Sequence, residues 1–261
     1  MAYDDNAAAV RRLLETYSDQ VMSWLGVPNA VVDFMEPGTI SAVVNSLLEA
    51  DFAHVLRDEG VVRCRMAEHH RDGYPDFQLG KGAGSPRVEM KGLWRKILLG
   101  EITSSGKSKM EPSARLREPI EDIWEEDVLL IVVWDFESDG QISRVVLPDG
   151  HPPVVCSAHA AAESRDRRAI ENGAVWRPDE KIPVTRTGRP ETNFGKLNRI
   201  PYVRKQLGLP ELKVRSVTVD APPEFDDEPT VEAPSDPELA DELALGRDMR
   251  APNEGDAPAT S

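Results

Sequence analysis

Asp76, Glu89 and Lys91 lie in residues 74–94, YPDFQLGKGAGSPRVEMKGLW, where two short runs flank a glycine-rich turn. Strand side chains alternate between faces, so Arg87, Glu89 and Lys91 would share one side while Val88 and Met90 enter a core. Gly80, Gly82, Gly84 and Pro86 supply the turn of an antiparallel hairpin. Such a hairpin brings Asp76, Glu89 and Lys91 together. Two carboxylates and an amine on adjacent strands suit a divalent metal and a nearby nucleophilic water. A purely structural role is also open to them. Asp76 would then mark a strand entry, and Glu89 with Lys91 would form an exposed cross-strand ion pair.

At these residues the chain resembles the PD-(D/E)xK nuclease superfamily, the fold of many restriction endonucleases. The family's pattern, Pro-Asp followed by an acidic residue, any residue and Lys, stands here as Pro75-Asp76 and Glu89-Met90-Lys91. Pro148-Asp149, Pro178-Asp179, Asp179-Glu180-Lys181 and Glu211-Leu212-Lys213 repeat parts of it. Only Asp76 and Glu89 have a hairpin to join them. The resemblance covers mainly residues 40–147 and implies an α/β fold, a restriction-endonuclease-like mixed central sheet flanked by helices. It implies a magnesium-dependent endodeoxyribonuclease acting on double-stranded DNA and leaving 5′-phosphate and 3′-hydroxyl ends, with a type II-like restriction endonuclease acting as a homodimer first among the choices. By the same resemblance, Asp76, Glu89 and the Met90 carbonyl are the magnesium ligands. Lys91 orients and helps activate the water, either as a hydrogen-bond donor or, with a lowered pKa, as a base. Glu49 is the helical glutamate that family members often place near the metal; a solvated glutamate is the other reading. A repair or junction-cleaving nuclease and a non-cleaving DNA-binding module are the alternatives, and a cognate methyltransferase would be a partner of the restriction reading.

Other patterns carry less. Residues 104–108, SSGKS, look like the end of a phosphate-binding loop, but Glu101 stands where its first glycine is required, which rejects an ATPase. Lys107 and Lys109 in that loop are candidate DNA-backbone contacts, with a solvated loop as the default. His69, His70, Cys156 and His159 lack a second ligand pair at zinc spacing. Residues 181–205 carry Lys181, Arg186, Arg189, Lys196, Arg199, Arg204 and Lys205 against Glu191 alone, with Asn193 and Asn198 interleaved. Such charge neutralises phosphates, and Arg and Asn read base edges, so this segment and Arg87 are expected to contact DNA.

The elements that must position these groups follow from hydrophobic period. Residues 7–25 and 40–57 read as amphipathic helices, with 31–35 an apolar connector between them. Residues 61–66 read as a strand, 92–102 as a strand running into a short helical or irregular piece, and 116–124 as a helix. Residues 127–136, DVLLIVVWDF, are apolar enough for a strand buried on both faces. A strand over 141–147, a helix over 157–172 and a last strand over 212–219 complete the pattern.

Of the net charge of −15, residues 217–261 carry 13 acidic and 2 basic side chains, leaving −4 for the rest. A body so near neutrality accommodates a basic cleft. The organisation expected is an N-terminal helical segment (1–38), a nuclease domain (39–216) and an acidic disordered tail (217–261) too poor in large apolar residues to fold. Two cysteines and no long apolar run predict a soluble cytoplasmic protein with no membrane association.

Overall fold

The structure, a computed structural model, describes residues 2–22, 24–64, 74–82, 84–99, 114–174 and 195–212. The tail, the strand expected over 212–219 beyond its first residue, Lys107, Lys109, Lys181, Arg186, Arg189 and Asn193 lie outside the described residues.

In chain order the elements are α1 (Tyr3–Ser18), β1 (Gly26–Pro28), α2 (Asn29–Phe34), α3 (Pro37–Val55), β2 (Val61–Arg63), β3 (Phe77–Leu79), β4 (Arg87–Trp94) and α4 (Arg95–Leu98). There follow β5 (Val128–Asp139), β6 (Ile142–Val146), β7 (Val154–Ser157), α5 (Ala158–Glu171) and α6 (Pro201–Gln206). Among the described residues the strands form one seven-stranded mixed sheet, ordered β1-β6-β5-β4-β3-β2, with β7 also paired to β5. β4 and β5 run parallel, from Val88 opposite Val128 to Trp94 opposite Trp134. The other pairings are antiparallel. β5 is long enough to take two partners along one edge, β7 beside its first half and β6 beside its second.

Side-chain alternation along β4 and β5 divides the core. Val88, Met90, Trp94, Leu130, Val132 and Trp134 pack with Val10, Leu14 and Tyr17 of α1 and Val44, Leu48 and Phe52 of α3. Leu93, Leu129, Ile131 and Val133 face the other way, against Ala161 and Ala162 of α5, Val203 of α6, and Leu116 and Leu197. Residues 128–134 are thus buried on both faces, as the uninterrupted apolar run predicts. The helical part of 1–38 joins the first of these cores, through Val10, Leu14 and Tyr17.

Local differences from expectation have local causes. α1 ends at Ser18, seven residues early, because Asp51 of α3 accepts the Met22 N–H (3.3 Å) and the Trp24 indole N–H (3.2 Å), holding this segment in another course. Residues 29–34 form a short helix rather than a connector. The helix expected over 116–124 is reduced to one 3-10 turn, Ile120–Asp122, because Leu116 is tied by its N–H to the Gly195 carbonyl (2.9 Å) and Pro119 intervenes. β7, unforeseen, ends in Ser157, whose hydroxyl accepts the Ala160 N–H (3.1 Å) and caps α5. Among the described residues no helix is long and apolar enough to cross a membrane.

Candidate active site

The hairpin is present. Phe77 pairs with Val88 and Gln78 with Arg87, which sets Asp76 beside Glu89 on the adjoining strand. Each carboxylate then accepts a main-chain N–H from the other strand. Met90 donates to Asp76 Oδ2 at 2.8 Å, and Asp76 donates to Glu89 Oε2 at 3.2 Å. Lys91 Nζ donates to Glu89 Oε1 and lies 3.8 Å from Asp76 Oδ2. The carboxylates therefore brace the hairpin where its ladder stops.

Pro75 has a separate effect on Met90. The Leu79 N–H donates to the Pro86 carbonyl at 2.9 Å, marking that as a hydrogen-bonded pair. The next such pair is Phe77 with Val88, and continuing the register would bring Pro75 opposite Met90. Proline has no N–H to donate, so the Met90 carbonyl lacks its ladder donor while the Met90 N–H is taken by Asp76.

Burial sets the protonation states. The Glu89 side chain is only 1% exposed, against 17% for both Asp76 and Lys91. That burial pushes the Glu89 carboxyl well above the ordinary glutamate value; Lys91 opposes the shift, and Asp76 and Glu118 add to it. Burial alone would lower the Lys91 ammonium, but the charges of Glu89 and Asp76 outweigh it and hold it above the ordinary lysine value. Of the two roles open to Lys91, this state is that of a charged hydrogen-bond donor.

Glu49, on α3, reaches the same electrostatic field. Burial raises its carboxyl, Asp76 raises it further, and Lys91 and Arg63 pull it back. Arg63 of β2 holds it at 3.3 Å. α3 itself is seated by Asn45, whose Oδ1 accepts the Trp134 indole N–H at 2.9 Å above Gly92.

No family model, curated protein or solved structure matches this chain. The site must be read from its own geometry.

Arg87, expected to contact DNA, is occupied within the fold. It pairs with Asp127 at 3.0 Å, donates to the Asp122 carbonyl at 2.9 Å, and packs against the rings of Tyr74 and Trp124. Its side chain is 10% exposed. Asp127 also accepts the Tyr74 hydroxyl (2.6 Å) and the Trp124 N–H (2.8 Å), so this cluster fixes the entry to the hairpin. Lys196 is buried, Arg199 is exposed and Asn198 is half-buried with its Oδ1 lacking a hydrogen bond.

Glu118 was not foreseen. It lies in the segment expected to be helical and found irregular, and its charge acts on both Glu89 and Lys91. With Tyr74, Arg87, Arg117 and Trp124 it lines an open cleft of about 640 Å³. Arg165 of α5 holds its segment through the Leu116 and Glu118 carbonyls, at 3.1 and 2.8 Å.

Among the described residues no three His, Cys, Asp or Glu side chains converge as a ready-made metal cage. The donors nevertheless fit a hard cation by type. They are all oxygen, from Asp76, Glu89 and the Met90 carbonyl, and the Lys91 ammonium supplies positive charge between the two carboxylates. His159 is the second residue of α5 and Cys156 the last but one of β7, with Cys156 buried in the apolar core.

Proposed function

We propose that this protein is a magnesium-dependent endodeoxyribonuclease of the PD-(D/E)xK kind, acting on duplex DNA. The observation that carries the reading is the reciprocal bracing of Asp76 and Glu89 across one hairpin, with Lys91 joined to both. Hydrolysing a phosphodiester requires charge neutralisation at the scissile phosphate and a water aligned with the leaving oxygen. Magnesium, when bound, supplies the charge and favours a deprotonated water. Asp76, Glu89 and the Met90 carbonyl would hold it, the last made available by Pro75. Lys91, kept protonated, orients the attacking water or donates to the phosphate rather than serving as base. Glu49 takes up a water at the edge of this group.

A type II-like restriction endonuclease working as a homodimer beside a cognate methyltransferase remains the first biological setting, and a repair or junction nuclease the second. One observation favours a non-cleaving DNA-binding module: the Glu89–Lys91 ion pair already satisfies both groups. Incubation with unmethylated phage DNA, plasmid and branched DNA, in magnesium or chelator, separates the settings. Discrete magnesium-dependent bands support the restriction setting, and cleavage confined to branched DNA the repair setting. Binding without cleavage on every substrate overturns the nuclease reading.

A further inference from the structure

Trp124 stands just before β5, and both of its main-chain groups are used locally. Its N–H donates to Asp127 Oδ2 at 2.8 Å, and its carbonyl accepts the Asp127 N–H at 3.1 Å. Ile123, one residue earlier, is buried in the second core. The side chain is held as firmly as the backbone. The Arg87 guanidinium lies 3.9 Å from the centre of the indole and 4.9 Å from that of the Tyr74 ring. Arg87 is itself fixed by Asp127 at 3.0 Å and by the Asp122 carbonyl at 2.9 Å. Arg87 covers one face of the indole, yet Trp124 keeps 51% of its surface exposed. Its other face is therefore open, on the cleft of about 640 Å³ that Glu118 and Glu121 also line. Single exposed apolar side chains are common and need no account. This one is fixed in place before any ligand arrives, which lowers the ordering cost of a stacking contact.

The chemistry of the lining chooses among ligands. An indole with a free face takes a planar ring by stacking. Carboxylates accept hydrogen bonds and donate none, so Glu118 and Glu121 favour a ring that carries amino hydrogens. Their charge opposes phosphate and other anions. Organic cations would suit the carboxylates, but Arg87 already engages the π-electrons of this indole, and a second cation across the same ring would be repelled by it. An uncharged, planar heterocycle with an exocyclic amine meets all of these conditions.

We propose that Trp124 is the stacking platform of a binding site for an amine-bearing nucleobase, with Glu118 and Glu121 accepting from its amino edge. The site goes beyond the proposed phosphodiester chemistry and does not depend on it. The same ring is offered by a free nucleoside and by an unpaired base in a strand whose phosphates stay outside the cleft.

The test uses the full chain and 2-aminopurine riboside, which is excited beyond tryptophan absorption and loses emission on stacking. Wild type, Trp124→Phe, Trp124→Ala and Phe34→Ala are titrated, the last replacing an exposed aromatic of α2 as the control. Wild type and the control are expected to quench the probe alike, Trp124→Phe to keep most of the affinity, and Trp124→Ala to lose about tenfold or more. Adenosine should displace the probe better than purine riboside, which lacks the amine, and better than adenosine 5′-monophosphate, which adds charge. Oligonucleotides with 2-aminopurine unpaired in a hairpin loop or paired in a duplex separate the sources. Quenching of the riboside assigns the free nucleoside, and quenching of the looped strand alone assigns the unpaired base. Quenching of neither, equal binding by Trp124→Ala, or displacement by arginine in preference to adenosine overturns the site. Magnesium-dependent cleavage of plasmid by the same protein would still stand in that event, since it is assigned to Asp76, Glu89 and Lys91. Circular dichroism on each variant separates lost stacking from lost fold.

Discussion

At the scale of the residue, the site is a negotiation between burial and charge. Glu89 is nearly sealed from solvent and is tolerated there because Lys91 and the Asp76 N–H engage its two oxygens. Its folded-state pKa lies above its unfolded value, so the associated stability is fully present below the unfolded value and is lost as pH rises through the folded one. Glu89→Gln removes that ionisation. Urea midpoints for wild type and Glu89→Gln should diverge in the variant's favour as pH rises from 4.5 towards neutrality. Divergence in the opposite sense would contradict the assigned burial cost. The Lys91 pKa is raised as well, so its contribution has the same sign but is lost only as pH rises above the ordinary lysine value, and the ammonium keeps its charge at neutral pH. Replacing it with alanine leaves two carboxylates facing each other without a cation.

At the scale of the element, β4 carries Glu89 and Lys91, and what surrounds it keeps β4 in place. Gly92 is required by close approach: a Cβ there would stand 2.1 Å from Asn45 Oδ1 and 3.2 Å from Trp134 Nε1. Gly92→Ala must displace the Asn45 side chain and with it the hydrogen bond that Asn45 accepts from Trp134. The expected loss is about 1–3 kcal/mol of stability in urea unfolding, with a changed Trp134 environment in fluorescence. An unchanged midpoint would mean that α3 is not seated through Asn45. The hairpin was legible because alternation, glycines and the position of Pro75 agree, and β5 because seven consecutive apolar residues admit few other readings. The segment over 116–118 was not legible. Its course is set by Arg165, 47–49 residues away in sequence, and α5's run of charged residues looks from the sequence like a solvated face. Arg87 misled for the same reason: its partners Asp127, Asp122 and Trp124 come from a distant loop.

At the scale of the molecule, two cores on opposite faces of one sheet hold the site at the β3–β4 pairing, inside the sheet. The second core depends on a buried charge. Arg165→Met leaves Asp166 without its partner and frees residues 116–118. Breaking such a pair costs about 3–5 kcal/mol, seen as a lowered urea midpoint. Restoring the balance with Asp166→Asn on the same chain should recover part of the loss; no recovery would mean that the carbonyl clamp, rather than the ion pair, dominates. The charge distribution belongs to this scale too. An overall net charge of −15 coexists with residues 195–206, which hold four cations and no acid, and salt dependence of DNA binding reads the local charge rather than the total.

The proposed activity requires Asp76, Glu89 and Lys91 to act together on a phosphodiester. Supercoiled plasmid incubated with wild type, Asp76→Ala and Lys91→Ala, each verified as folded, in magnesium and in chelator, tests it directly. Nicked and linear plasmid is expected with wild type in magnesium alone, with a fall of about 10²–10⁴-fold in rate for Lys91→Ala. No cleavage above background is expected for Asp76→Ala. Plasmid left intact by the wild-type protein, or cut equally by all three, would contradict the proposed activity.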